Sequence, residues 1–305
     1  MIYLISSVKF FSLQIIDKIN YYFGRKFFRN FNPLSYNLFN LIYKKNISNK
    51  LYLKNDFISS YHKLGFAKLG KVDDQNINNL LISLKKNNPN ICPGSSFSYN
   101  YKIEEDTMDI IKKIINSKLL KKLEVLQKYY NLKIALVNLK ITRNYYDPNS
   151  NSVENYSNFF HSDGYLFNLF KIFINLEDVD ESKGPLTIVK KEKSKEFINF
   201  YSYDKRKYCS IIDQTDNFFY KNVGQKGDIF LCNTTELLHK AGDIEKNKSR
   251  DILFLEFVAY PFENSIHLYS FKNIFDSSLN KKFAKIKGIK NLINFYFLCQ
   301  KNKFN

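Results

Sequence analysis

The sequence predicts a mainly β fold with flanking helices, an antiparallel sandwich or jelly roll with its helices packed outside. Three observations carry this. Apolar residues recur at helical spacing through roughly the first 130 positions. The period then changes at Lys133, and short β-rich runs follow, separated by loops containing Asn, Asp and Gly. Finally, 44% of the 305 residues are hydrophobic and 17% are aromatic, enough to fill a core, which excludes wholesale disorder.

The first helical signal is a stripe of Leu4, Val8, Phe11, Ile15, Ile19 and Tyr22, with Lys9, Asp17 and Lys18 off it. Pro33 ends or kinks this region, and residues 34–64 read as further short helices. Residues 74–87, opening with DQNINNLLISLKK, read as an amphipathic helix capped by Asp73 or Asp74 and stopped by Asn88 and Pro89. Residues 107–130 give another, with Ile110, Ile114, Leu119, Leu123 and Leu126 on its buried face. Lys133 to Tyr145 then reads as a strand, with an alternation running through Ile134, Leu136, Asn138 and Lys140. Further strands are expected at 169–176, 185–189, 210–212, 228–232 and 251–259.

Charge divides the chain. Residues 1–56 hold nine Lys or Arg against two acidic residues, and residues 261–305 hold eight Lys against two, so most of the net +18 sits on the two ends. Three segments follow: a basic helical N-terminal extension over 1–56, a β domain with its supporting helices over 57–260, and a basic helical tail over 261–305 packed on or near the core. Basic ends suit an anionic membrane surface or, equally, a solvated lysine-rich helix face. Arg clusters and known motifs are lacking, so no nucleic-acid partner is expected. Cys92, Cys209, Cys232 and Cys299 are scattered, which predicts reduced thiols rather than a disulfide framework or zinc site. The apolar start is interrupted by Lys9 and Asp17 and has no cleavage signal, so a cytoplasmic protein is expected.

The chemistry is carried by three separated pieces. In Phe160-His161-Ser162-Asp163-Gly164, a His and an Asp two residues apart on extended chain point to one face and can share a metal. Such a triplet also arises by chance in a surface turn. In GDIFLCNTTELLHKAGD, residues 227–243, a Gly-Asp turn and a short apolar strand precede His239. Two His and one carboxylate make a facial triad, the set that binds iron(II) and leaves coordination positions open. Arg250 follows eleven residues later, where a planar guanidinium suits a buried carboxylate. Its bland alternative is an ion pair with Asp251 or Glu256. His62 and His267 read as surface or packing residues. Asn138, Lys140, Arg143 and Thr187 are candidates for the barrel mouth.

From Phe160 to Tyr260 the chain resembles the phytanoyl-CoA dioxygenase family of iron(II)/2-oxoglutarate oxygenases. The resemblance rests on the H-x-D triplet, on Leu176-Glu177-Asp178-Val179-Asp180-Glu181-Ser182-Lys183-Gly184-Pro185 against a family phrase L-x-D-V-D-x-x-x-G-P, on the Gly-Asp turn with its distal His, and on the Arg beyond it. It implies a double-stranded β-helix (jelly-roll, cupin-like) core. It also implies Fe(II) held by His161, Asp163 and His239, 2-oxoglutarate held by Arg250, molecular oxygen as oxidant, and hydroxylation of a C–H bond in a small organic or acyl substrate. Retention of Asp163 points to hydroxylation rather than halogenation. Where the family continues with P-G-S-H after G-P, this chain reads Thr187-Ile188-Val189-Lys190-Lys191-Glu192-Lys193-Ser194, which leaves the substrate open. The competing class is a non-catalytic jelly-roll binding protein, associated through its basic ends with a membrane surface.

Overall fold

A computed structural model of the chain describes residues 55–86, 98–130, 133–146, 148, 159–163, 168–200, 216–260, 288–291, 293, 294 and 297. The stripe in residues 1–22, the strand expected at 210–212, His267 and most of both basic ends lie outside these residues.

The helices come first. Helix α1 (Asp56–Leu64) buries Phe57, Ile58 and Tyr61 and ends on Gly65, whose φ of 81° lets its amide close back on the Tyr61 carbonyl. Strand β1 (Phe66–Lys71) follows directly, and helix α2 (Asp74–Lys86) buries Ile77, Leu80 and Leu84. The Asp73 carbonyl accepts from the amides of Asn76 and Ile77, as the first acceptor of that helix should. After the short strand β2 (Ser98–Asn100), helix α3 (Glu105–Ile114) and helix α4 (Leu120–Tyr130) are joined by a π-helical turn over Ile115–Leu119. The sequence predicts one continuous helix here, and this turn corrects it. A π turn holds extra chain, so the apolar face shifts phase across it. Ile111 and Ile114 are buried before the turn, Ile115 and Leu119 within it, and Leu123 and Leu126 beyond it, while Ile110 is only partly buried.

The strands form two antiparallel sheets. The larger runs in the order β1-β7-β4-β9-β3-β2, with β3 Lys133–Tyr145, β4 Asn168–Asn175, β7 Asp228–Cys232 and β9 Ser249–Tyr260. The smaller is β6-β5-β8, with β5 Thr187–Val189, β6 Phe219–Lys221 and β8 His239–Lys240. This is the jelly-roll, cupin-like architecture expected, although β1, β2 and β6 are too short or too lysine-rich to show an alternating pattern. Helix α5 (Lys191–Phe200) falls where the sequence departs from the P-G-S-H pattern.

The two faces of the large sheet do different work. One face contributes Leu136, Leu139, Ile141, Phe170, Ile172, Ile174, Leu253, Leu255 and Phe257 to the core shared with the helices. Ile289, Ile293 and Phe297, four residues apart, add to the same core from the basic tail. The other face looks toward the small sheet, and Phe66, Phe230 and Cys232 pack there with Leu186, Ile188 and Leu237. The predicted alternation along β3 does not hold throughout. A bulge between Leu136 and Asn138 puts Ile134 and Leu136 on the helix side and Asn138 and Lys140 on the inner side. The inner face then carries a row Asn138, Glu256, Lys171, Cys232 across four paired strands, and beside it Lys140, Phe254, Phe173, Phe230.

Candidate metal centre

His239 opens β8, where it pairs with Ile188 of β5. His161 lies opposite His239 in an isolated antiparallel bridge rather than in a regular strand. The His161 amide donates to the His239 carbonyl at 3.0 Å and the His239 amide to the His161 carbonyl at 2.9 Å, which brings the imidazole centroids to 4.4 Å. Two residues on, the Asp163 amide donates to the Thr234 carbonyl at 2.8 Å. Thr235 completes the attachment through Oγ1, which accepts from the Leu169 amide and donates to its carbonyl. Phe160 anchors the segment by stacking on Phe219. The turn at 234–236 thus fixes both the H-x-D segment and the approach to His239.

The ring nitrogens are oriented from behind. His161 Nδ1 lies 2.8 Å from the Phe159 carbonyl and His239 Nδ1 lies 3.0 Å from the Leu237 carbonyl, each two residues upstream. A carbonyl can only accept, so each Nδ1 carries the proton and each Nε2 is left with its lone pair. The Nε2 atoms face Asp163, His161 at 3.9 Å from Oδ1 and His239 at 3.8 Å from Oδ2.

Donor atoms of His161, Asp163 and His239 all lie within 4.8 Å of one another, a spacing and chemistry that can hold a metal ion. At metal–ligand bonds of about 2.0–2.2 Å, adjacent donors stand about 3 Å apart, so the imidazole–carboxylate distances of 3.8 and 3.9 Å need shorten by only about an ångström. Their protonation suits the task. Burial, then the neighbouring His239, pushes the His161 pKa down to about 3, and burial lowers that of His239. Burial alone would raise the Asp163 carboxyl, but Lys171 and the two imidazoles hold it well below the usual carboxylate range. The site therefore offers two neutral imidazoles and a carboxylate at neutral pH.

Arg250 lies near the start of β9, on the same inner face as Glu256 and six residues before it. It is 4% exposed and donates through Nη1 to the Gly184 carbonyl, while its buried Nε has no hydrogen-bond partner. Burial pushes its pKa down to about 10, against the pull of Glu177. The ion pair with Asp251 or Glu256, the alternative reading of the sequence, is not formed. Asp251 is engaged by Arg143, whose Nε donates to it at 2.7 Å, and Glu256 accepts from Asn138 at 3.2 Å. Arg250 is thus a sequestered cation with an unused donor, the arrangement a carboxylate ligand would complete.

Of the remaining candidates, Asn138 and Lys140 face inward, whereas Arg143 lies on the helix side of β3 against Asp251 and Tyr101. Thr187 is buried and donates to the Pro185 carbonyl. His62 packs against Tyr129, its Nδ1 2.9 Å from the phenol oxygen. Two participants were not singled out from sequence. Ser194 of α5 is buried, donating to the Val189 carbonyl and accepting from the Leu238 amide, so it ties β5 to the residue before His239. Lys171 of β4 places its Nζ 2.6 Å from Asp163 Oδ2. An inward lysine in an otherwise apolar strand was the available signal for the second.

No family model matches the sequence, and no curated protein matches it. Solved structures do. HygX from Streptomyces hygroscopicus, crystallised with nickel, 2-oxoglutarate and hygromycin B, is 13% identical over 67% of this chain and 87% of its own, with a TM-score of 0.51. HygX with iron bound gives 12%, 67% and 86%, and 0.49. The non-heme α-ketoglutarate-dependent epimerase SnoN from nogalamycin biosynthesis gives 12%, 66% and 80%, and 0.46. At these identities the likeness is one of fold, and it rests on the first comparison: the chain shares its β-sandwich with flanking helices with that protein.

Proposed function

We propose that this chain is an Fe(II)- and 2-oxoglutarate-dependent oxygenase, similar to the phytanoyl-CoA dioxygenase family, that hydroxylates a C–H bond of a small molecule. The observation that carries the reading is the convergence of His161, Asp163 and His239 from separate segments into one buried donor set with both Nε2 atoms deprotonated. The fold shared with HygX, crystallised with nickel, 2-oxoglutarate and hygromycin B bound, supports it.

Iron(II) and 2-oxoglutarate together would reduce molecular oxygen and supply an oxidant for a C–H bond, with succinate and carbon dioxide as coproducts. The protein's share is arrangement. The carbonyls of Phe159 and Leu237 keep both imidazoles turned toward Asp163. Arg250 supplies a carboxylate with its missing counter-charge in a place shielded from water, where a charged hydrogen bond is strong. Phe173 and Phe254, stacked with centroids 5.7 Å apart, add aromatic surface to the same inner face.

The reading is tested by incubating the full chain with iron(II), ascorbate and 2-oxoglutarate in air and measuring succinate. Slow succinate formation that needs iron and disappears in His239→Ala supports an oxygenase. Tight metal uptake with no 2-oxoglutarate binding or consumption would favour the binding-protein alternative.

A further inference from the structure

Lys171 is out of place by the logic of packing. It occupies an inner position of β4, two residues before Phe173, and its side chain is only 14% exposed. Its ammonium lies 5.1 Å from the Phe254 ring centroid and 2.6 Å from Asp163 Oδ2. Taking two charges out of water is expensive, and an apolar pair of similar volume commonly does as well or better for stability. A lysine next to a divalent-metal site also repels the ion it neighbours. Stability and metal affinity both argue against a lysine here, so its effect on Asp163 is where its use must be sought.

The two oxygens of Asp163 are not equivalent. Oδ1 faces His161 Nε2 at 3.9 Å, while Oδ2 has His239 Nε2 at 3.8 Å and the Lys171 ammonium much closer. Lys171 is itself held at this level of the barrel. Its cross-strand neighbours are Glu256 and Cys232, and Glu256 is fixed by the Asn138 side-chain amide at 3.2 Å. A second carboxylate therefore stays beside the ammonium when a metal draws on the charge of Asp163.

We propose that Lys171 is a positioning residue that occupies Oδ2 of Asp163, so that the carboxylate ligates the metal through Oδ1 alone and leaves positions open for cosubstrate and oxygen. This rests on the metal-centre reading above. In the metal-free chain the same contact is the counter-ion that keeps the carboxylate buried. Without Lys171, both oxygens of Asp163 are available to the metal, which then holds more protein ligand and has less room for 2-oxoglutarate.

Cobalt(II), whose visible spectrum reports coordination number, tests this in the full-length chain. Wild type, Lys171→Met and Lys171→Arg are titrated with cobalt(II) alone and then with 2-oxoglutarate. Lys171→Met is expected to bind cobalt(II) about tenfold more tightly, the scale on which groups behind the ligands tune affinity. Its visible absorption should weaken as coordination number rises, and its 2-oxoglutarate affinity should fall. Lys171→Arg, which restores the cation, should return all three toward wild type. Should Lys171→Met not fold, Lys171→Gln is read in the same way. An unchanged cobalt(II) affinity and spectrum overturns the inference while leaving the metal centre intact. Loss of 2-oxoglutarate binding with an unaltered cobalt(II) spectrum also overturns it, and makes Lys171 a cosubstrate contact instead. A wild type that takes up no cobalt(II) removes the oxygenase reading and this inference together.

Discussion

His161 and His239, 78 positions apart in the chain, exchange a reciprocal pair of backbone hydrogen bonds at 3.0 and 2.9 Å. Their imidazoles converge because the backbones bridge, and the bridge depends on neither ring. Side-chain truncation should thus remove the donor set without undoing the fold.

His161→Ala, Asp163→Ala and His239→Ala are each expected to abolish tight iron(II) or manganese(II) binding while leaving circular dichroism near wild type. Asp163→Ala should be the least well tolerated of the three, because it strands the Lys171 ammonium beside the site. Calorimetric metal titration checks the first expectation and urea denaturation the second.

Stability of the metal-free protein should fall as pH is lowered from about 6.5 toward 3. The His161 pKa is depressed from 6.5 to about 3 in the fold, and that of His239 is also lowered, so across this window the unfolded chain takes up protons the folded chain refuses. Stability contributed by the neutral imidazoles is complete above pH 6.5 and lost below it. Urea midpoints across pH 4 to 8 should show this slope, and a His161→Gln, His239→Gln double variant should flatten it. Equal slopes in the two proteins would show that other groups set the acid limit.

Much of this was legible in the sequence, for identifiable reasons. The central strands β3, β4, β7 and β9 have long runs of β-branched and aromatic residues, and their bounds came within about two residues of expectation. The three side chains that converge in the candidate metal centre could be picked out because the H-x-D triplet and the distal His keep a recognisable order. The features that were missed depend on tertiary contacts. Strand β1 pairs through Phe66–Lys71, a segment with two lysines and a glycine that holds its place by registry with β7. The bulge at Val137 exchanges the faces of β3, and no local pattern announces it. Lys171 interrupts an apolar strand, but only the fold shows that it meets Asp163.

The π turn makes a prediction the helical pattern alone would get wrong. Ile111→Ala should cost about 2–5 kcal/mol as a buried cavity mutation, and Ile110→Ala, one residue earlier, less than about 1.5 kcal/mol. Equilibrium denaturation of the two variants distinguishes this phase from that of an uninterrupted helix, in which Ile110 would be the costly one.

Gly184 couples the G-P motif to the arginine. It has a φ of +60°, its carbonyl receives Arg250, and an added Cβ would come within 2.3 Å of the Gly242 carbonyl oxygen. Gly184→Ala should therefore cost about 1–3 kcal/mol from the backbone conformation alone, and more from the clash. Because the backbone must move, 2-oxoglutarate affinity should weaken in the same variant even though metal uptake persists. Paired thermal-shift and calorimetric measurements read both effects.

The proposed oxygenase reading turns on Arg250 receiving the carboxylate of 2-oxoglutarate. The direct measurement is calorimetric titration of 2-oxoglutarate into the manganese(II)-loaded chain, comparing wild type with Arg250→Ala and Arg250→Lys. Loss of one partner of a buried charged pair costs about 3–5 kcal/mol, so Arg250→Ala should bind at least about a hundredfold more weakly. Arg250→Lys should recover only part of that, since an ammonium cannot reproduce the guanidinium fork. Manganese(II) affinity should be unchanged in both. Wild-type and Arg250→Ala proteins binding 2-oxoglutarate equally well, or a metal-loaded wild type that binds none, would contradict the account.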